Sequence, residues 1–162
     1  MSQPVPPPTG NPFAGADAPY APAPPPAPVR DNVGLGILAA FAAALVAAGA
    51  YGGIGGAIER EIGFAAVGVG FLVGFAAAKV GGRNPVLPIV SAVLALGAVY
   101  LGQLVAIAVI FTKLGDLSFT QYFFDNFSDL TKVWKEAADL MSYVFLAVGA
   151  AAAFAGAKKA NG

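Results

Sequence analysis

Four long stretches without a charged side chain dominate this sequence: residues 33–58, 62–78, 86–111 and about 140–157. A helix needs about 20 apolar residues to cross roughly 30 Å of hydrocarbon and tolerates about 17–25, so each stretch is long enough to span a bilayer, the second being the shortest. Backbone groups in lipid must pair within their own segment, which makes helices the reading for all four. The alternative is four buried helices in a soluble protein, and composition argues against it. The chain is 57% apolar and 11% charged, against roughly 45–50% and about 25% for an ordinary soluble domain, so little polar surface remains to cover such a core. The expected fold is all-α: an integral membrane, antiparallel four-helix bundle occupying residues 33–157, with a short C-terminus at 158–162.

Residues 1–32 have a different composition, holding 11 of the 13 prolines in runs such as Pro4-Val5-Pro6-Pro7-Pro8 and Pro22-Ala23-Pro24-Pro25-Pro26-Ala27-Pro28. Proline removes backbone donors and fixes φ, so a disordered tail sampling polyproline II is expected. No basic region leads straight into an apolar run, so the segment does not read as a signal peptide. Pro4-Val5-Pro6-Pro7 has the form of a PxxP core and Asn11-Pro12-Phe13 that of an endocytic tripeptide; an unstructured spacer accounts for both equally well.

Charge and reactive-residue content exclude several functions. Nine basic and nine acidic side chains cancel, so no net field gathers nucleic acid, and nucleic acid is not an expected partner. Cysteine and histidine are both absent, which removes thiolate nucleophiles, imidazole bases and the usual zinc or haem ligands. No catalytic, cofactor-binding or metal-binding residue is therefore assigned, and no cofactor is expected.

The cations set a direction. With the tail in the cytoplasm, Arg30, Lys79, Arg83, Lys158 and Lys159 fall inside, while Arg60, Lys113, Lys132 and Lys135 fall outside with seven acids. Five against four is a small margin, but the inner set lies within a few residues of span ends, where topology is decided. Both termini are expected in the cytoplasm, across a bacterial inner membrane. Gly81-Gly82-Arg83-Asn84-Pro85 breaks the chain before the third span. The three-residue link Glu59-Arg60-Glu61 forces the first two spans into a tight hairpin.

Small residues point to packing. Gly63, Ala66, Gly70 and Gly74 in the second span are spaced 3, 4 and 4 apart, forming one stripe that lets helix backbones approach. The first span offers Gly49, Gly52, Gly53 and Gly56, and the two stripes are expected to meet inside the hairpin; a homodimer contact is the competing use. In the third span, Gln103 is the only amide well inside a span, and an unpaired buried amide costs a few kcal/mol, so it should face another helix. Its alternative role is as a transport ligand. Ser91 and Ser142 have no base available to them.

Between the third and fourth spans, residues 113–139 are amphipathic. At 100° per residue, Phe119, Phe123, Phe127, Leu130, Trp134, Ala137 and Met141 lie within an arc of about 80°. Ser118-Phe119-Thr120-Gln121 fits a capping box and places a helix start near Ser118; Asn126 offers a second start. No glycine or proline occurs between Asp116 and Val148, so two arrangements are expected. The segment lies on the outer membrane surface, or it continues into the fourth span as a stalk whose aromatic face meets the end of the third span or a partner. Phe124 points to the charged side, and it and Trp134 are the candidate partner contacts.

Glu61-Ile62-Gly63, the run Gly68-Val69-Gly70-Phe71-Leu72-Val73-Gly74, the aromatic outer segment and the last apolar span together resemble a family of small, uncharacterised bacterial four-span proteins. The proline-rich leader is similar to those of high-GC actinobacterial versions. The resemblance covers most of residues 33–157 and implies a fold and a location; it brings no activity or binding residue. The expected function is that of a non-enzymatic adaptor or accessory subunit, with membrane lipid and other membrane or cytoplasmic proteins, or a second copy of itself, as partners. The alternative is a small oligomeric channel or transporter.

Overall fold

The structure is a computed structural model and describes residues 25–26 and 31–162. The leader motifs around Pro4 and Asn11, and Arg30, lie outside the described residues. The described chain forms α1 (Val33–Ile58), α2 (Gly63–Gly81), α3 (Val86–Leu114), a π-helical turn (Gln121–Asp125), α4 (Phe127–Ala137) and α5 (Leu140–Asn161). Four of these, α1, α2, α3 and α5, are long and apolar enough to cross a membrane. Only 28–39% of their most apolar windows is buried inside the chain. Large side chains such as Leu38, Val46 and Phe64 face outward instead. In water that outward surface would be prohibitive; in lipid it is the solvated face.

Local chemistry sets the ends of the spans. The Asn32 side chain accepts from Leu35 N and caps α1, as a short polar side chain does for an unpaired first-turn amide. The tail boundary expected at residue 32 needs correction here, because Asp31 and Asn32 belong to the fold. Asn32 N–H donates to Gly81 O at 3.0 Å, and the Asn84 amide donates to the Asp31 carboxylate at 3.1 and 3.2 Å. Asn161 donates to Gly82 O at 2.8 Å, so a collar of polar contacts closes this end of the bundle. Gly82 makes the turn with φ 86°, a conformation a side chain would strain. Pro85 and Pro88 sit at and just inside the start of α3, where a missing N–H costs no helical bond.

α1 and α2 form the expected hairpin, but their small-residue stripes are not what joins them. α1 packs most extensively on α3 and α2 on α5, with the α1–α2 seam next and α2 touching α3 across the diagonal. On the α2 stripe, a Cβ at Gly63 would strike the Phe145 ring, and at Gly70 and Gly74 it would strike the backbone of Gly149 and Ala153; all three partners are on α5. Ala66 is fully buried. Gly56 meets α3 instead, where an added Cβ would come within 2.6 Å of Val109 Cβ, and Gly52 likewise lies against Gly102 and Val105. Gly49 and Gly53 have nothing within 4 Å. The two stripes therefore do not meet each other: each seats on a helix distant in sequence, and two of the α1 glycines face outward. Apolar contact with lipid is as favourable as contact with another helix, so backbone approach between small residues decides the pairing.

The outer segment takes neither expected arrangement as a whole. The capping box forms reciprocally, with Ser118 N–H donating to Gln121 Oε1 at 2.9 Å and Gln121 N–H reaching Ser118 Oγ at 3.4 Å. One π-helical turn follows, and α4 then runs back along the C-terminal half of α3. Leu104, Ala108, Leu130 and Trp134 are buried there, flanked by Tyr100, Phe111, Phe119, Tyr122 and Phe123. The aromatic face thus meets the end of the third span, as one option held, but α4 does not continue into α5. The helix breaks at Ala138–Asp139, where Asp139 Oδ1 accepts from Ser142 N at 3.0 Å and Ser142 Oγ at 3.2 Å. A carboxylate N-cap restarts the helix without glycine or proline.

Candidate functional site

At the end of the bundle opposite the collar, the C-terminal ends of α1 and α3, the start of α5, the last turn of α4 and the α1–α2 link enclose a half-open cavity of about 170 Å³. Tyr51, Gln103, Trp134 and Ser142 line it together with aliphatic groups of α3, and Glu59, Arg60 and Glu61 border it. Each wall is held for an identifiable reason. Lys113 at the end of α3 donates to the last carbonyls of α1, Gly56 O at 3.1 Å and Ala57 O at 2.7 Å, and to Glu59 Oε1 at 3.3 Å. A cation on free helix-terminal carbonyls is favourable by charge and by hydrogen bonding. Glu59 adopts φ 54° and turns the chain, letting Arg60 N–H close on Gly55 O at 3.1 Å.

Gln103 is the chemical centre of this wall. It is 4% exposed, and its Oε1 accepts from Trp134 Nε1 at 2.7 Å. Indole nitrogen only donates, so this bond fixes which end of the amide faces Trp134 and directs the NH₂ elsewhere. Gln103 Nε2 has no hydrogen-bond partner, at a cost of about 1–3 kcal/mol for a buried unsatisfied group. Trp134 is locked by edge-on contacts with Tyr100, at 4.8 Å, and Tyr143, at 5.7 Å. The Ser91 hydroxyl, buried elsewhere on α3, is likewise unpartnered.

Two acids outside the spans are shifted in opposite directions. Partial burial raises the Glu61 pKa above its ordinary 4.5, and the nearby Asp139 charge raises it further. Asp139 is held below its ordinary 3.8, chiefly by the hydrogen bond from Ser142 N–H. The cap keeps Asp139 ionised, and that charge makes ionising Glu61 harder.

The structure brings Gln103 and Trp134 together, and it places Trp134 inside rather than on a surface open to a partner. Phe124 is 69% exposed. Tyr51 and the Glu61–Asp139 pair were not singled out from sequence; for Asp139 the spacing Asp139-Leu140-Met141-Ser142 ahead of an apolar run is a readable helix-start signal. Among the described residues, no group of three metal-ligating side chains occurs.

Four lipid-facing helices with polar ends define a multi-pass membrane protein. No protein-family model, curated protein or solved structure matches the chain.

Proposed function

We propose that this chain is a non-enzymatic accessory subunit of a bacterial inner membrane, with both termini in the cytoplasm, whose outer cap contacts another membrane protein. The observation that carries this reading is Phe124. Most of the cap's aromatic face is turned toward α3 and Phe127 is 38% exposed, whereas Phe124 stands edge-on against Phe123 at 5.3 Å and is 69% exposed. A large side chain held on a rigid aromatic platform is the kind of group that anchors protein contacts. The resemblance to small bacterial four-span proteins supports the location. Lys79 and Arg83, and Lys158 and Lys159, at the collar end support the direction.

A photo-cross-linking residue at position 124 in native membranes tests the reading, with the outward-facing position 93 as control. A discrete protein adduct at 124, absent at 93, is expected. Only lipid adducts at 124 would remove the accessory role, and an adduct with a second copy of this chain would replace it by self-association. Labelling of Asp116→Cys and Ala160→Cys in intact cells tests the direction: a membrane-impermeant reagent should reach the first and spare the second.

A further inference from the structure

We propose that the outer cavity is a binding site for a small organic cation with a flat apolar body, its ammonium group at Glu61 and an oxygen acceptor at its far end on Gln103 Nε2. This goes beyond the accessory role and is independent of it, because the site lies within one chain. Three features of the cavity define that ligand. The first is the Gln103 amide, whose oxygen is occupied by Trp134 and whose Nε2 donors make no well-formed hydrogen bond, with the Tyr51 side chain as their polar neighbour on the facing wall. Those donors select a carbonyl or hydroxyl oxygen. The second is the wall, where Trp134 and Tyr51 flank aliphatic carbons of α3. Aromatic faces of this kind hold planar rings and cationic groups. The volume, about 170 Å³, exceeds the roughly 150 Å³ of an apolar cavity that admits benzene.

The third is the charge at the mouth. Glu59 is paired with Lys113 at 3.3 Å, leaving Arg60 against the two carboxylates Glu61 and Asp139. Arg60 and Glu61 both line the mouth and are both exposed, and the Asp139 charge lies close enough to act on Glu61, so the group carries one negative charge in excess. The remaining charge favours a cation over an anion.

Trp134 is the chain's single tryptophan, so its emission, excited at the red edge of its absorption, reports occupancy directly. The experiment uses the full chain in phosphatidylcholine nanodiscs and three probes: tyramine, phenethylamine, which lacks the oxygen, and p-cresol, which lacks the amine. Tyramine should produce a saturable shift and bind roughly fivefold more tightly than either partial probe, about the effect of one net hydrogen bond or ion pair. Gln103→Leu should erase the preference for tyramine over phenethylamine, and Glu61→Gln should erase the preference over p-cresol. A linear, unsaturable response with all three probes, or preferences unchanged in both variants, would overturn the proposal. Should Gln103→Leu fail to fold, Glu61→Gln decides alone, because Glu61 is exposed and lies outside the packed spans.

Discussion

Trp134→Phe removes the donor that Gln103 Oε1 accepts from at 2.7 Å while retaining a ring against Tyr100. The variant leaves a buried acceptor unpaired, which costs about 1–3 kcal/mol. Shortening the indole adds a small cavity, so a loss of about 2 kcal/mol is expected. Gln103→Leu leaves the indole N–H without an acceptor but also removes an amide nitrogen that had no partner, so its loss should be smaller, about 1 kcal/mol. The double variant carries neither polar group, and replacing both members of a buried pair by apolar groups is nearly neutral. With the double variant keeping only the cavity cost of about 1 kcal/mol, against single losses of about 2 and about 1 kcal/mol, the coupling energy of the cycle should be about 2 kcal/mol in magnitude. Polar pairs between membrane helices average about 0.6 and reach about 1.7 kcal/mol, so this short buried bond belongs at the top of that range. Equilibrium unfolding in mixed micelles, followed by far-ultraviolet circular dichroism because two of the four proteins lack tryptophan, measures all four corners. A coupling below about 0.3 kcal/mol is simple additivity and would refute the assignment of Gln103 as the acceptor for Trp134.

Other substitutions separate the remaining contributions. Gly74→Ala places a Cβ on the Ala153 backbone and should cost about 1–3 kcal/mol in the same unfolding assay by forcing α2 from α5, whereas Gly49→Ala, with open space around it, should be neutral or slightly stabilising. Lys113→Met should lose about 0.5–1 kcal/mol through the α1 carbonyls it holds, and Glu59→Gln much less, since that ion pair is exposed on both sides; equal losses would show that the ion pair is the main contribution. Asp139→Asn keeps a capping oxygen but deletes the charge, so the Glu61 titration midpoint, read by carbon NMR, should fall toward 4.5; an unmoved midpoint would refute the coupling. The Asp139 contribution itself is complete above its ordinary 3.8 and is lost as pH falls through its lowered pKa, while the Glu61 penalty is present above its raised pKa and relieved as pH falls. The acid limb of the wild-type stability profile should therefore be shallower than that of Glu61→Gln.

The four spans were legible because their signals are local: length without charge, the Glu59-Arg60-Glu61 link after the first, and Pro85 at the third. Ser118 and Gln121 likewise announced their reciprocal cap. Partner choice was not legible in the same way. Periodicity places Gly63, Gly70 and Gly74 on one face of α2, but nothing in that spacing says that α5, rather than the adjacent α1, approaches it. The break before α5 was hidden because Asp139 ends one helix and starts another by hydrogen bonding to Ser142, not by a breaker residue. Of the site, Gln103 stood out as the lone interior amide, but its bond to Trp134, 31 residues away, exists only once α4 doubles back.

α3 is one uninterrupted rod of 29 residues, about 43 Å at 1.5 Å per residue and so longer than the roughly 30 Å oily layer it traverses. Its C-terminal half carries α4, and its first residue is tethered by Asn84, which also grips Asp31. The cap and the collar thus share one unbroken helix, and neither end of the bundle can turn without carrying that helix, and the three packed on it, along.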